Sequence, residues 1–170
     1  MAKQRGKVSD DLPQEVLWHL ERCDGYLDLK MLDRAREELD RVPEPHRESI
    51  LFREARLRLA MEEQEWAAAA SLARRLCDLA PEEPVYWVQL AYSTRRAESI
   101  EAARSILLDG LKRFPKIAVI PFNLACYECQ LGRPEEALEY LGRAFTLDPA
   151  YRDAAEEDED LKILWPRLGG

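Results

Sequence analysis

Alanine recurs as Ala35, Ala69, Ala103 and Ala137, each 34 residues beyond the one before. All four lie in stretches that read as helix: MLDRAREEL, EWAAAASLA, SIEAARSIL and RPEEALEYL. Twelve residues after the last three stand Pro81, Pro115 and Pro149. Two more registers keep the period: Cys23, Leu57, Ala91 and Ala125 in one, and Leu17, Leu51, Val85 and Val119 in the other. A period held without insertion over four cycles points to one kind of architecture. The chain is expected to be a short array of like units, each stacking on the next to bury its apolar face.

Helix packing explains the residue types. Apolar residues at i, i+3 and i+4 spacing give two amphipathic helices per unit, joined by a tight turn. Where the paired helices cross, a small side chain lets the backbones approach, hence alanine. Proline cannot continue the i→i−4 hydrogen-bond ladder, so it ends the second helix and suits the start of the next. The spacing predicts helices near 14–28 and 31–42, 47–62 and 65–79, 84–96 and 99–113, and 118–130 and 134–147.

These positions resemble the tetratricopeptide repeat, whose pattern runs Trp, Leu-Gly or Leu-Ala, Ala, an aromatic or Leu, and Pro. The third unit matches with Trp87, Leu90, Ala91, Ala103, Leu107 and Pro115. The fourth matches with Asn123, Leu124, Ala125, Gly132, Ala137, Leu141, Ala144 and Pro149. The resemblance covers about residues 16 to 149. It implies an all-α fold, a right-handed superhelical array of antiparallel helix pairs. The expected organisation is a disordered N-terminus over 1–12, then four repeats within 13–149 (about 16–49, 50–83, 84–117 and 118–151). A capping helix and tail over 150–170 complete it.

The chain departs from the pattern in places. Lys30, Gln64 and Glu98 stand where the family has its turn glycine, which survives only as Gly132. A non-glycine residue in a left-handed turn costs roughly 1 kcal/mol, so adjustment of those turns is expected. In the first unit the closing proline is displaced to Pro43 and Pro45, with Arg47 in its place, which predicts a short second helix and a looser joint. The tail, YRDAAEEDEDLKILWPRL, reads as a helix over 150–157, an acidic turn, and an apolar segment packed on the fourth unit.

Function classes fall away in turn. A chain of 170 residues can bury roughly 70% of its unfolded surface, so it needs no disulfide or metal staple. A net charge of −8, with no basic stripe to neutralise phosphates, argues against nucleic acid. The start, MAKQRGKVSD, lacks the apolar core of a secretory signal, and no apolar stretch is long enough to span a bilayer. A reduced, cytoplasmic protein is expected.

CYEC, Cys126 to Cys129, invites a reading as a metal or redox site. It sits mid-helix, away from a helix N-terminus that would lower a thiol pKa, and there is no second Cys-x-x-Cys to complete a zinc site. Both cysteines read as groove-wall residues. His19 and Cys23 stand at i, i+4, but Cys23 holds the small-residue packing position, so core packing is expected there rather than catalysis. No phosphate loop, nucleophile elbow or isolated carboxylate pair is present. Neither an enzyme nor a cofactor is expected.

The resemblance implies that function lies in a concave groove lined by the first helix of each unit. The candidate lining is Leu20 and Asp24; Glu54 and Arg58; Val88, Tyr92, Arg95 and Arg96; and Phe122, Asn123 and Cys126. The Lys and Asn clamp by which some members grip a terminal carboxylate is absent, since Leu20, Asp24 and Glu54 occupy those places; Asn123 keeps one backbone-binding position. Apolar residues beside the patch of Arg58, Tyr92, Arg95 and Arg96 suit a protein segment with apolar anchors and an acidic residue. The expected function is a non-catalytic protein-binding scaffold. Three alternatives stand beside it: a chaperone for a secreted partner, as in the similar small acidic type III secretion chaperones; a structural homo-oligomer; and a Cys-x-x-Cys thiol or metal protein.

Overall fold

The computed structural model describes residues 12–168, and among them there are helices and no strands. They divide into two compact units that part between Glu83 and Pro84. The first unit holds α1 (Gln14–Asp28), α2 (Leu32–Arg41), a 3₁₀ turn (Glu44–His46), α3 (Ile50–Glu62) and α4 (Trp66–Leu79). The second holds α5 (Pro84–Ala97), α6 (Ile100–Arg113), α7 (Val119–Gln130), α8 (Pro134–Leu147) and α9 (Tyr151–Glu157). A 3₁₀ segment (Glu159–Leu164) and a last turn, α10 (Trp165–Leu168), end it. The expected N-terminal segment, 1–12, lies outside the described residues except for Leu12, which packs against the first core.

Consecutive helices pack as pairs: α1 with α2, α3 with α4, α5 with α6 and α7 with α8. Ala35, Ala69, Ala103 and Ala137 are each wholly buried, as the crossing geometry requires. So are Cys23, Leu57, Ala91 and Ala125 in the partner register. Fully burying a leucine contributes roughly 1.5–3 kcal/mol, and Leu27, Leu39, Leu107, Leu124 and Leu141 are all sealed in this way. Apart from the start of α3, these eight helices begin and end within one residue of the expected positions.

The turns divide in two ways. Lys30 (φ 58°) and Gln64 (φ 60°) adopt the left-handed conformation that Gly132 (φ 73°) also adopts. Each closes its helix by the same double hydrogen bond, as in Met31 N–H to Tyr26 C=O at 2.9 Å and Glu65 N–H to Ala60 C=O at 2.8 Å. At Glu98 the turn adjusts instead. Helix α5 runs on to Ala97, Glu98 N–H bonds Thr94 C=O at 2.8 Å, and the Ser99 hydroxyl caps α6 by accepting from Ala102 N–H.

In the first unit α2 is short, ten residues against fourteen in α4, α6 and α8. Arg47 does what the missing proline does elsewhere: its guanidinium donates to Val42 C=O and Asp40 C=O, both at 2.8 Å, and closes the end of α2. This pushes the start of α3 to Ile50, behind the Ser49 cap. The first two repeats form one compact unit, so the predicted looseness between them is not where the molecule divides.

Candidate partner-binding faces

In the first unit the candidate residues sit on α1 and α3. Leu20 is buried in the core and forms part of its floor. Asp24 and Arg58 come together: the Arg58 guanidinium lies 3.3 Å from an Asp24 carboxylate oxygen and also pairs with Asp28. Those carboxylates hold its pKa above the usual arginine value. Glu54 is half-buried on the same helix as Arg58. The result is a solvent-facing cluster of mixed charge, with the acid supplied by α1 and the base by α3.

In the second unit the candidates sit on α5 and α7. Arg96 stacks its guanidinium 5.1 Å from the Tyr92 ring centroid and donates to the Tyr92 hydroxyl at 3.1 Å. Arg95 lies 5.3 Å from the Tyr127 ring centroid and makes a two-point ion pair with Asp160, at 2.5 and 3.1 Å. Val88 is half-buried against the core. The Asn123 amide donates to Val119 C=O of its own helix at 2.8 Å.

Phe122 and Cys126 are covered. The Tyr151 ring of α9 lies on Phe122, centroids 4.8 Å apart. The Cys126 thiol points at the Asp158 carboxylate, Sγ to Oδ2 3.7 Å. The chain's own C-terminal segment therefore lies on the α7 surface assigned to the groove. Leu161 and Leu164 go into the same core, the Trp165 indole N–H donates to Ala155 C=O at 3.1 Å, and Arg167 clasps Glu135 of α8 at 2.7 Å. Sequence reasoning placed this segment on the fourth unit but missed the Asp160–Arg95 pair. A contact 65 residues long leaves no local signal.

Groups capable of chemistry are sealed into packing. Burial pushes the Cys23 thiol up to about 12 and Cys77 up to about 11. Burial, joined by the charges of Asp158 and Asp160, drives Cys126 higher still and raises Cys129 too. A thiol held protonated is a poor nucleophile and a poor metal ligand. The His19 imidazole is buried with Nδ1 2.7 Å from Glu38 Oε2. Among the described residues no group of three or more His, Cys, Asp or Glu is placed to hold a metal ion, and no helix is long and apolar enough to cross a membrane.

Two buried carboxylates join helices. Glu38 of α2 takes His19, Arg22 and Arg41. Glu128 of α7 takes Arg104 of α6 at 2.5 Å and Arg133 at 3.3 Å. Neither is among the candidate residues read from the sequence. The period carried a signal for them: the Glu38 register continues as Leu72, Ile106 and Tyr140, and that of Glu128 runs back to the buried Thr94 and Ala60.

No protein-family model matches the chain, and no curated protein is significantly similar in sequence. Solved structures are similar in fold. A crystal structure of MamA aligns at TM-score 0.71 over 92% of this chain and 87% of that one, with 12% identity. MamA from Desulfovibrio magneticus RS-1 gives 0.71 over 81% and 78%, also with 12% identity. MamA of MSR-1 gives 0.67 over 85% and 82%, with 19% identity. Identities this low speak to the fold alone, and MamA is a tetratricopeptide-repeat protein. With its four helix pairs and buried alanine register, this chain has the all-α, tetratricopeptide-repeat-like solenoid fold.

Proposed function

We propose that the chain is a non-catalytic scaffold that holds segments of partner protein against first-helix faces within each unit, α1 and α3 in one and α5 and α7 in the other. Asp24, Glu54, Arg58, Tyr92, Arg95, Arg96 and Asn123 would make the polar contacts. Leu20, Val88, Phe122 and Cys126 would form the apolar floor. The observation that carries this reading is the division of labour among side chains. The thiols and His19 are buried in packing, while the first helices carry the Arg58–Asp24 ion pair and the Tyr92–Arg96 stack at the surface. Arginine and aromatic side chains are the usual anchors of protein interfaces.

The test compares capture by the immobilised full chain, its Tyr92→Ala variant, and an outer-face control, Glu139→Ala. A discrete protein retained by the parent and by Glu139→Ala, but reduced at least tenfold by Tyr92→Ala, is the expected result. Capture lost in Glu139→Ala and kept in Tyr92→Ala would move the binding surface to the second helices and overturn this assignment.

A further inference from the structure

The second unit already holds a peptide segment on the α5–α7 face, and that segment is its own. Asp158 shapes the approach by accepting from the Asp160 N–H at 2.9 Å, and its carbonyl takes the Leu161 N–H, also at 2.9 Å. The turn presents the Asp160 carboxylate to both Nη atoms of Arg95, and Gln130 donates to the Asp160 carbonyl at 3.4 Å. Leu161 and Leu164, one 3₁₀ turn apart, then enter the core and are fully buried. What is recognised is an Asp-x-Asp-Leu-x-x-Leu pattern inside a chain, with no terminal carboxylate involved.

The charges are complementary. Helix α5, PVYWVQLAYSTRRA, contains no acid and carries Arg95 and Arg96 in its last turn. Helix α7, VIPFNLACYECQ, has one acid, Glu128, which is spent on Arg104 and Arg133. The acid at Arg95, Asp160, arrives with the tail. Take residues 158–164 away and the face offers a guanidinium beside Cys126 and the part of the core that Leu161 and Leu164 fill, suited to an acidic residue followed by aliphatic ones.

We propose that the α5–α7 face is a recognition site for a partner segment of this acidic-then-aliphatic chemistry, and that residues 158–164 are its resident occupant, which the partner must displace. This rests on the scaffold reading and names its ligand class. A tethered occupant acts at an effective concentration of order mM, so the closed chain resists weak competitors and admits a segment that matches the pattern more closely or in greater number.

The probe is a fluorescent, end-blocked synthetic peptide of residues 157–168, EDEDLKILWPRL, titrated by anisotropy into the full-length chain. Asp160→Arg sets two guanidinium groups against each other and loosens the resident tail. It should bind the peptide at least tenfold more tightly than the parent, and Asp160→Asn should fall between them. Adding Arg95→Asp to Asp160→Arg restores the ion pair to the tail with its sign reversed and removes the guanidinium that meets the peptide's acid, so affinity should fall to the parental level or below it. Equal affinity in the parent, Asp160→Asn and Asp160→Arg would overturn the proposal, as would equal binding of a scrambled peptide. Asp160→Asn keeps the test decisive if the charge reversal prevents folding. A parent that sediments as a dimer and becomes a monomer on adding peptide would also overturn it, because the occupant would then be a second copy's tail. Peptide binding without lysate capture would leave this chemistry standing and remove the scaffold reading; capture sensitive to Tyr92→Ala without peptide binding would do the reverse.

Discussion

Glu38 shows how much one side chain can hold in a protein of this size. Its carboxylate is almost fully buried on α2, yet it accepts from His19 and Arg22 of α1 and from Arg41 of its own helix. Burial alone would raise its pKa; the His19 hydrogen bond and the charges of Arg22 and Arg41 outweigh burial and hold it below the ordinary value of 4.5. A carboxylate depressed in the folded state contributes stability above its unfolded pKa and loses it as pH falls through the lower folded value. Glu38→Gln should therefore cost about 1–3 kcal/mol at neutral pH, the range for unmaking a buried charged hydrogen bond. Thermal melts between pH 7 and 3 check this: the gap between parent and variant should narrow on acidification. A gap that stays constant would mean that shape, not charge, is what Glu38 supplies. The buried thiols make the opposite point at the same scale. CYEC looks like chemistry in one dimension, but Cys126 and Cys129 are buried on α7 and raised out of the reactive range.

Among the elements, the inter-helix turns separate what the repeat pattern dictates from what local residues can alter. Lys30 and Gln64 accept a left-handed conformation that an L side chain disfavours, because the double hydrogen bond closing each helix demands it. Glu98 escapes the same demand: Ser99 caps α6 and lets α5 run on to Ala97. Two substitutions that look alike in sequence should then behave differently. Gln64→Gly relieves strain and should raise stability by up to about 1 kcal/mol, whereas Glu98→Gly relieves none and should be neutral or destabilising. Chemical denaturation midpoints of the two variants decide it, and a gain at Glu98 equal to that at Gln64 would contradict the turn geometry. Glu98→Gly removes nothing from the Ser99 cap, so a loss there reports backbone entropy alone.

For the whole molecule, the fold was legible because helix pairing repeats, and a period reports which residues share a face. Ala35, Ala69, Ala103 and Ala137 announced the crossings, and the prolines announced the helix ends. The candidate site was legible only in part. The period identifies first-helix positions such as Tyr92 and Arg95, but a non-repeating tail obeys no register. Its placement over Phe122 and Cys126 depends on burying Leu161 and Leu164 and on an ion pair 65 residues long. The division at Glu83 was equally hidden, since the period runs through it without a break. That division leads to the last expectation. One buried core lies in the first unit, from Val16 to Leu59, and another in the second, from Ala91 to Leu164, with no residue in common. In arrays of repeats, stability is a sum of local terms. Leu161→Ala should leave a cavity costing about 2–5 kcal/mol. That cost should fall on the unit that contains the tail. Native-state hydrogen exchange followed by mass spectrometry should show protection lost across α7 and α8 and kept across α1 and α2. Equal loss in both would mean that the two cores unfold as one and that the tail stabilises the entire chain.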